Sequence, residues 1–534
     1  MAELEAALQS GDEEQRRSAV RKLAELNRPE AWRLVVRALS DASSRVADEA
    51  QIRLPGVDPG NRERLQGKDG LESDAALVRE RATEALGRFA AVPPRELTSA
   101  LNDKSADVRR LACYSLERLV LRGELLPPED AKDRAALEQL ERLAQRDRTP
   151  EVRAAAWVAQ LLLLAPGASG DGRATAPPEA PGAAAGEPPP KDAGWPSARA
   201  WDWLSKAQEE KEPSLRAAAG YGLGSLAAVL TRGRDQGLHS TSAGAAWYAG
   251  QEARLLALGG LLLTDRERAV RLAAVRGLTR YPSRAVLALW VERLALESDA
   301  IVQSALVGAL QTASGLFHRA DPRPWERWLE GLSGDFFGQL GTAAPSGDDG
   351  QTSARLVGLP IPPGPVAFLI DMSGSMWNKD DQGRTMKELV DGELARCLEA
   401  LKEGNDFLLV PYATVPEPYA ERLTTVTPKK VAAAVEWFKN CKLRGQGNLW
   451  DAIQVVRAGE AVATVAIFSD GAPTGGPHWD MDLMVDLLLE QERFRGTVFH
   501  AVLTDQPSKR VLAAWQRLCS QTGGRLAEAR FQDR

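Results

Sequence analysis

The chain is short of cysteine, histidine and net charge, and each shortage removes a class of function. Its four cysteines, Cys113, Cys397, Cys441 and Cys519, lie far apart with neither CxxC nor Cys/His spacing, which argues against a zinc site and a disulfide framework. They read as reduced core thiols. The four histidines, His239, His318, His478 and His500, are scattered and none reads as a metal ligand; His478 is expected on a solvated loop. A formal charge of -6, from 67 basic and 73 acidic residues, gives no global reason to bind nucleic acid or acidic membranes. No stretch approaches the roughly 18 uninterrupted apolar residues of a membrane span. The acidic N-terminal segment MAELEAALQSGDEEQRR lacks the apolar core of a secretory signal, so a cytoplasmic location is expected. GxxxxGK[ST], GxSxG, HExxH and a dinucleotide fingerprint after a strand are also missing, and the expectation is that the protein is not an enzyme.

What the chain does contain is repetition. At 534 residues it exceeds what one core organises, so at least two units are expected. SDASSRVADEAQIRL, NDKSADVRRLACYSL and TDRERAVRLAAVRGL align without gaps, with Asp41, Asp103 and Asp265 each five residues before Val46, Val108 and Val270. Ala50 and Leu54, Ala112 and Leu116, and Ala274 and Leu278 continue at intervals of four, which places each set on one helical face. Weaker copies occur at Gln15/Ala19/Leu23, Val78/Ala82/Leu86, Val152/Ala156, Leu215/Ala219/Leu223 and Val302/Leu306/Leu310. The aspartates are expected to cap the second helix of each unit, and the small alanines to permit close helix approach.

These units resemble HEAT repeats of the short kind found in phycobilisome lyases, over most of residues 1 to 315. The resemblance implies an all-α solenoid of two-helix units with a concave protein-binding surface; an ordinary helical bundle is the alternative. Residues 165–194 are rich in Pro, Gly and Ala without apolar period and read as a flexible linker, either between two sub-arrays or looped out of one. Trp325 and Trp328, at helical spacing, read as the cap of the array.

From Pro365 the period changes. VAFLID, DFLLVPYA, VATVAIFSDG and TVFHAVLTD have the character of buried parallel strands, separated by helical segments, which predicts a doubly wound sheet. In such sheets ligands bind at the carboxyl ends of the strands, where the first strand delivers Asp371. There the chain reads Asp371-Met372-Ser373-Gly374-Ser375, a DxSxS pattern of one carboxylate and two hydroxyls suited to Mg²⁺ or Mn²⁺. The same residues suit a loop that only caps the following turn. The segment resembles a von Willebrand factor A (vWA) domain with its metal-ion-dependent adhesion site. That resemblance implies Asp371, Ser373 and Ser375 as metal ligands, with Asp470 holding the ion directly or through water. It further implies a partner whose Asp or Glu completes the coordination. Where the family has a threonine, RGQGNLWDAI has Gly447, and Asn448 or a water is the expected substitute. Asp451 reads as an exposed helical carboxylate.

The expected architecture is multidomain: an N-terminal all-α HEAT-like solenoid and a C-terminal α/β doubly wound, Rossmann-like vWA domain. The expected segments are solenoid 1–164, linker 165–194, solenoid 195–320, cap and hinge 321–363, and vWA domain 364–534. The expected function is a protein-protein interaction scaffold that binds an acidic group through Mg²⁺ or Mn²⁺, without nucleic acid or membrane. The alternatives are a regulatory subunit of a separate ATPase or metal-handling complex, and a HEAT-like lyase or nucleic-acid binder using Arg109, Arg110, Arg153, Arg216 and Arg271.

Overall fold

The computed structural model describes residues 1–56, 59–164, 198–237, 242–341, 354–379, 383–459, 461–504 and 507–529; the Pro/Gly/Ala-rich segment 165–194 lies outside them. The contacts divide the chain into two compact units, Met1–Arg293 with Glu326–Gly341, and Leu294–Trp325 with Thr342–Arg534.

In the first unit seven helices pack in series, each on the next: α1 (Glu13–Leu26), α2 (Ser44–Arg53), α3 (Ala76–Leu86), α4 (Ala106–Arg122), α5 (Pro150–Leu164), α6 (Pro213–Asp235) and α7 (Arg268–Leu278). They are the helices that carry the repeated anchors. Val108, Ala112 and Leu116 of α4, and Val270, Ala274 and Leu278 of α7, are all within 1% of full burial, each Val or Leu contributing about 1.5–3 kcal/mol. Gln15, at the equivalent place in α1, is exposed. Helices Pro29–Arg37, Ala131–Arg146, Ala198–Gln208 and Ser242–Leu263 pack against α1, α5, α6 and α7 respectively, as a second layer.

The repeated aspartates do something other than cap. Asp41, Asp103, Asp147 and Asp265 accept the backbone N–H two residues on, that of Ser43, Ser105, Thr149 and Glu267, which orders the turn before the helix. Their remaining oxygen capacity goes to an arginine of the preceding stacked helix. Arg16 pairs with Asp41, Arg79 with Asp103, Arg109 with Asp147 and Arg216 with Asp265, at 2.6–2.9 Å. These are two-pronged, with Nε and Nη2 each meeting a carboxylate oxygen, the strong geometry for this pair. Each arginine directly follows the first anchor of its helix, and its Nη1 donates back to a carbonyl six residues earlier, as Arg109 does to Asp103. Burial alone would raise Asp147, but Arg109 and the Thr149 N–H outweigh it and hold the carboxyl below its ordinary range. The ladder misses a rung twice. Ala47 stands at the arginine place in α2 and Ser73 at the matching aspartate place; Glu210 stands at the aspartate place before α6, and Arg153 keeps its backbone bond to Asp147.

Helices α6 and α7 cross at backbone distance. A Cβ on Gly224 would lie 2.9 Å from the Gly277 Cα, and one on Gly277 would overlap the Gly220 carbonyl oxygen. Backbone meets backbone there, which only glycines at these positions permit.

In the second unit, helix α8 (Ala300–Ser314) is capped by Asp299, which accepts from the N–H groups of Ile301 and Val302. The unit also holds a hairpin, β1 (Arg355–Leu356) with β2 (Leu359–Pro360), and a six-stranded sheet. The sheet comprises β3 (Val366–Asp371), β4 (Asp406–Tyr412), β5 (Thr424–Thr425), β6 (Thr464–Ser469), β7 (Val498–Leu503) and β8 (Leu526–Glu528), in the order β5-β4-β3-β6-β7-β8. All neighbours are parallel except the edge pair β4 and β5. Five helices complete the fold: α9 (Met386–Glu399), α10 (Pro428–Lys439), α11 (Leu449–Ala458), α12 (Met481–Glu492) and α13 (Lys509–Thr522). Val366, Phe368 and Ile370 share a core with Val390 and Leu394 of α9 and Phe438 of α10. Ala367 and Leu369 point to the opposite face and are equally buried, with α11 packed on β3 and β4. This double coverage explains why VAFLID is apolar throughout instead of alternating. Cys113, Cys397 and Cys519 are buried free thiols, and Cys441 is half-buried. Among the described residues no helix is long and apolar enough to cross a membrane.

Two predictions follow from packing. Replacing Gly277 by Leu forces α6 and α7 apart and is expected to lower the stability of the first unit by about 1–3 kcal/mol. Gly250→Ala, in a helix with nothing within 4 Å of the added carbon, should raise it by about 0.5–1 kcal/mol; urea denaturation of both variants checks the contrast. The second concerns His500 on β7, whose Nδ1 accepts the Arg525 N–H at 3.2 Å. Burial first, and then the Arg525 charge, lowers its pKa from 6.5 to about 4. The unfolded chain therefore binds this proton at a higher pH than the folded one, and stability is lost as pH falls from 6.5 toward 4. Between pH 7.5 and pH 5 this group should cost about 2 kcal/mol. Denaturation curves of His500→Gln, compared with the unmodified protein at the two pH values, should show that part of the pH dependence removed.

Candidate functional site

Strand register assembles the site. Asp371 is the last residue of β3 and is in register with Tyr412, the last of β4, while Ile370 is in register with Phe468 of β6, so that Ser469 ends β6 beside them. β3 is also where the strand order reverses, with β4 on one side and β6 on the other. The loops leaving β3 and β6 diverge from a crevice at their carboxyl ends.

Of the residues singled out from sequence, the structure brings four together. Asp371 is 3% exposed, and its Oδ1 accepts the Ser373 N–H at 2.8 Å. The Ser373 and Ser375 hydroxyls lie 3.1 Å apart, and Ser375 donates to Oδ2 of Asp470 across 95 residues of sequence. Ser373 is buried and Ser375 exposed at the mouth, in the 3-10 turn Gly374–Trp377. The fifth, Asn448, is close by but otherwise engaged. It is the N-cap of α11: its Oδ1 accepts the Asp451 N–H, and its amide donates to the Asp451 carboxylate at 2.6 Å and to the Thr414 carbonyl at 3.1 Å. Asp451 is accordingly a half-buried partner of that cap and not a free surface carboxylate. A helix N-terminus with four unsatisfied N–H groups claims Asn448 more strongly than a site that other oxygens already furnish. His478 is 3% exposed and packs edge-on against Trp450 with ring centroids 4.4 Å apart, in place of the solvated position expected.

Three contributors were not singled out. Ser469 donates to Asp371 Oδ2 at 3.0 Å, the Tyr412 hydroxyl approaches the same oxygen at 3.4 Å, and Thr474 accepts the Gly447 N–H at 2.7 Å. The first two could have been found as the polar residues that close the apolar strands beside β3. Thr474 had no such signal, since only the folded loop brings it to Gly447.

The electrostatics are those of an acidic pair enclosed by hydroxyls. Burial, and next the charge of Asp470, push the Asp371 carboxyl up to about 6. Burial, followed by the Asp371 charge, pushes the Tyr412 phenol up as well. Every group around the two carboxylates that these contacts identify is a hydroxyl or a backbone N–H. Such a set of hard oxygens fits a small divalent cation. Among the described residues no three His, Cys, Asp or Glu side chains form a metal-holding group; this site differs in drawing half its oxygens from serine. The arginines weighed as nucleic-acid contacts are spent on the array: Arg109 and Arg216 on the ladder, Arg110 on Asp107 at 2.7 Å, and Arg153 and Arg271 on carbonyls of their own turns.

No protein-family model matches the sequence, and no curated protein matches it either. Similar solved structures include BatB, a conserved hypothetical protein from Bacteroides thetaiotaomicron, at 14% identity over 31% of this chain and 90% of that one, with a TM-score of 0.25. A von Willebrand factor type A protein from Catenulispora acidiphila is 16% identical over 32% of this chain and 40% of that one, with a TM-score of 0.25. Human deoxyhypusine hydroxylase in complex with glycerol is 17% identical over 58% of this chain and 95% of that one, with a TM-score of 0.22.

Proposed function

We propose that the C-terminal unit is a vWA-type binding module, that it captures an acidic side chain of a protein partner through Mg²⁺ or Mn²⁺, and that the N-terminal array is a HEAT-like scaffold for protein contacts. One observation carries this reading. Asp371, Ser373, Ser375 and Asp470, drawn from the ends of two adjacent strands, converge on one another at the topological switch of the sheet. Asp371, Ser373, Ser375 and Asp470 would hold the ion. The ion, when bound, supplies the positive charge that the two neighbouring carboxylates otherwise lack, and leaves positions for a partner's carboxylate. The protein's own task is to fix these oxygens. The Ser373 N–H, the Ser469 hydroxyl and Tyr412 orient the Asp371 carboxylate, and β3 presents it at the bottom of the crevice. Ser375, Thr414, Gln446 and Thr474 of the loops joined at the site are exposed; Val415, next to Thr414, is 64% exposed, and the Arg444 guanidinium lies 4.5 Å above the Trp377 ring. An apolar contact and a cation beside an ion site suit a protein surface bearing Asp or Glu.

The proposed role is binding without covalent chemistry. The test is calorimetric titration of Mg²⁺ and Mn²⁺ into the full chain and into Asp371→Ala. Saturable heat is expected for the unmodified protein and none for the variant. Cation at one hundred times its Kd should stabilise the C-terminal unit by about 2.7 kcal/mol in the unmodified protein alone. No heat at millimolar cation would overturn the proposal. Removing the ion by chelation should also release any acidic partner recovered with the protein, whereas release by salt alone would point to ordinary surface charge.

A further inference from the structure

Gly447 is a glycine without a conformational or steric reason. Its φ is not in the left-handed region, unlike that of Gly445, Gly471 and Gly476 nearby. A Cβ placed on it would lie 3.4 and 3.6 Å from the two carboxylate oxygens of Asp371 and 3.6 Å from Ser373 Cβ, all ordinary contacts. A side chain at this position would therefore start beside Asp371 and Ser373, with room for its Cβ. The neighbouring loop is clasped to the backbone of this residue. Thr474 accepts the Gly447 N–H at 2.7 Å, and the N–H groups of Thr474 and Gly475 donate to the Gly447 carbonyl at 3.0 and 3.2 Å. This clasp needs two glycines of its own: a Cβ on Gly475 would lie 2.7 Å from Gln446 Cβ, and one on Gly476, where φ is +88°, would overlap the Asn448 side chain. The small residues that permit the approach, and the hydroxyl the approach delivers, belong to the loop that also carries Asp470.

We infer that Thr474 supplies, from the Asp470 loop, the hydroxyl that position 447 lacks, and serves as an oxygen ligand of the cation directly or through one water. The inference rests on reading the site as a divalent cation site. A threonine oxygen that accepts one N–H keeps a second lone pair, and Thr474 is an exposed residue of the loop that carries Asp470. The departure from the DxSxS-plus-threonine pattern is on this view a relocation of the hydroxyl by 27 positions along the chain, not a loss.

The test is Mn²⁺ binding to the full chain, read from the electron paramagnetic resonance signal of free Mn²⁺. Thr474→Val, nearly isosteric but without the hydroxyl, is expected to weaken affinity at least tenfold, and Thr474→Ser to stay within about twofold of the unmodified protein. Adding Gly447→Thr to the Val variant should restore most of the loss, because the hydroxyl then starts from the vacant position. Thr474→Ala gives a second deletion should the Val variant fail to fold. Unchanged affinity in the deletion variant, with binding still abolished in Asp371→Ala, would overturn the assignment of Thr474 and leave the site standing. A Ser variant as weak as the Val variant would overturn it too, by assigning the effect to packing. An unmodified protein that binds Mn²⁺ no better than Asp371→Ala would overturn the site and this inference together.

Discussion

The register of β3 between two parallel neighbours is the constraint on which the C-terminal unit turns. A parallel ladder aligns equivalent ends of strands, so a residue that closes one strand meets those that close the next. Asp371, Tyr412 and Ser469 become neighbours for that reason alone. A slip of one residue in β3 would send Asp371 to the other side of the sheet and put Ile370 in the crevice. The apolar residues of VAFLID, buried on both faces, oppose that slip only weakly because either face accepts them. The polar termini make the stronger choice, since only one register lets the buried Asp371 carboxylate meet the Ser469 and Tyr412 hydroxyls of the neighbouring strands.

Much of this was legible in the residues. The change from helical anchors to uniformly apolar strands near Pro365, and the DxSxS run at the end of the first strand, needed only period and position. The site's incompleteness in the sequence has a physical cause. Ser469 and Tyr412 act through strand pairing, and Thr474 through a loop clasp, and neither kind of neighbour has a fixed spacing along the chain. Asn448 is the reverse case. Its place beside Gly447 was legible as a ligand position, whereas its part as the cap of α11, accepting the Asp451 N–H and donating to Asp451 and Thr414, shows only in the fold.

In the N-terminal unit the anchors predicted which helices stack, and an aspartate before each was legible as a helix-entry signal. Its role was not. Position suggested a cap, whereas the partner that matters is an arginine 24 to 49 residues earlier on the previous helix. The clue lay in a second regularity, an arginine directly after the first anchor at Arg79, Arg109, Arg216 and Arg271, which reads as an exposed charge until the neighbouring helix is in place. The acids that discourage a nucleic-acid reading are thus the same groups that order the stack.

The two gaps in this ladder fall at informative places. Between α2 and α3, where Ala47 and Ser73 replace the pair, the chain runs through 3-10 turns, as it also does at Pro94–Leu97 between the paired α3 and α4. Between α5 and α6, where Glu210 takes the aspartate's place, the sequence carries its long Pro/Gly/Ala-rich insertion. Where the pair is present, each helix is keyed to its predecessor and to no other, and lengthening the connection must still return the aspartate to the same guanidinium. Where it is absent between α2 and α3, other side chains join the neighbours: Arg81 meets Asp48 at 2.8 Å with both buried, and Gln51 donates to Glu84 at 2.8 Å. The array is thus joined by two kinds of polar contact, the repeated pair and its local replacement, and the long Pro/Gly/Ala-rich insertion sits at a junction without the repeated pair.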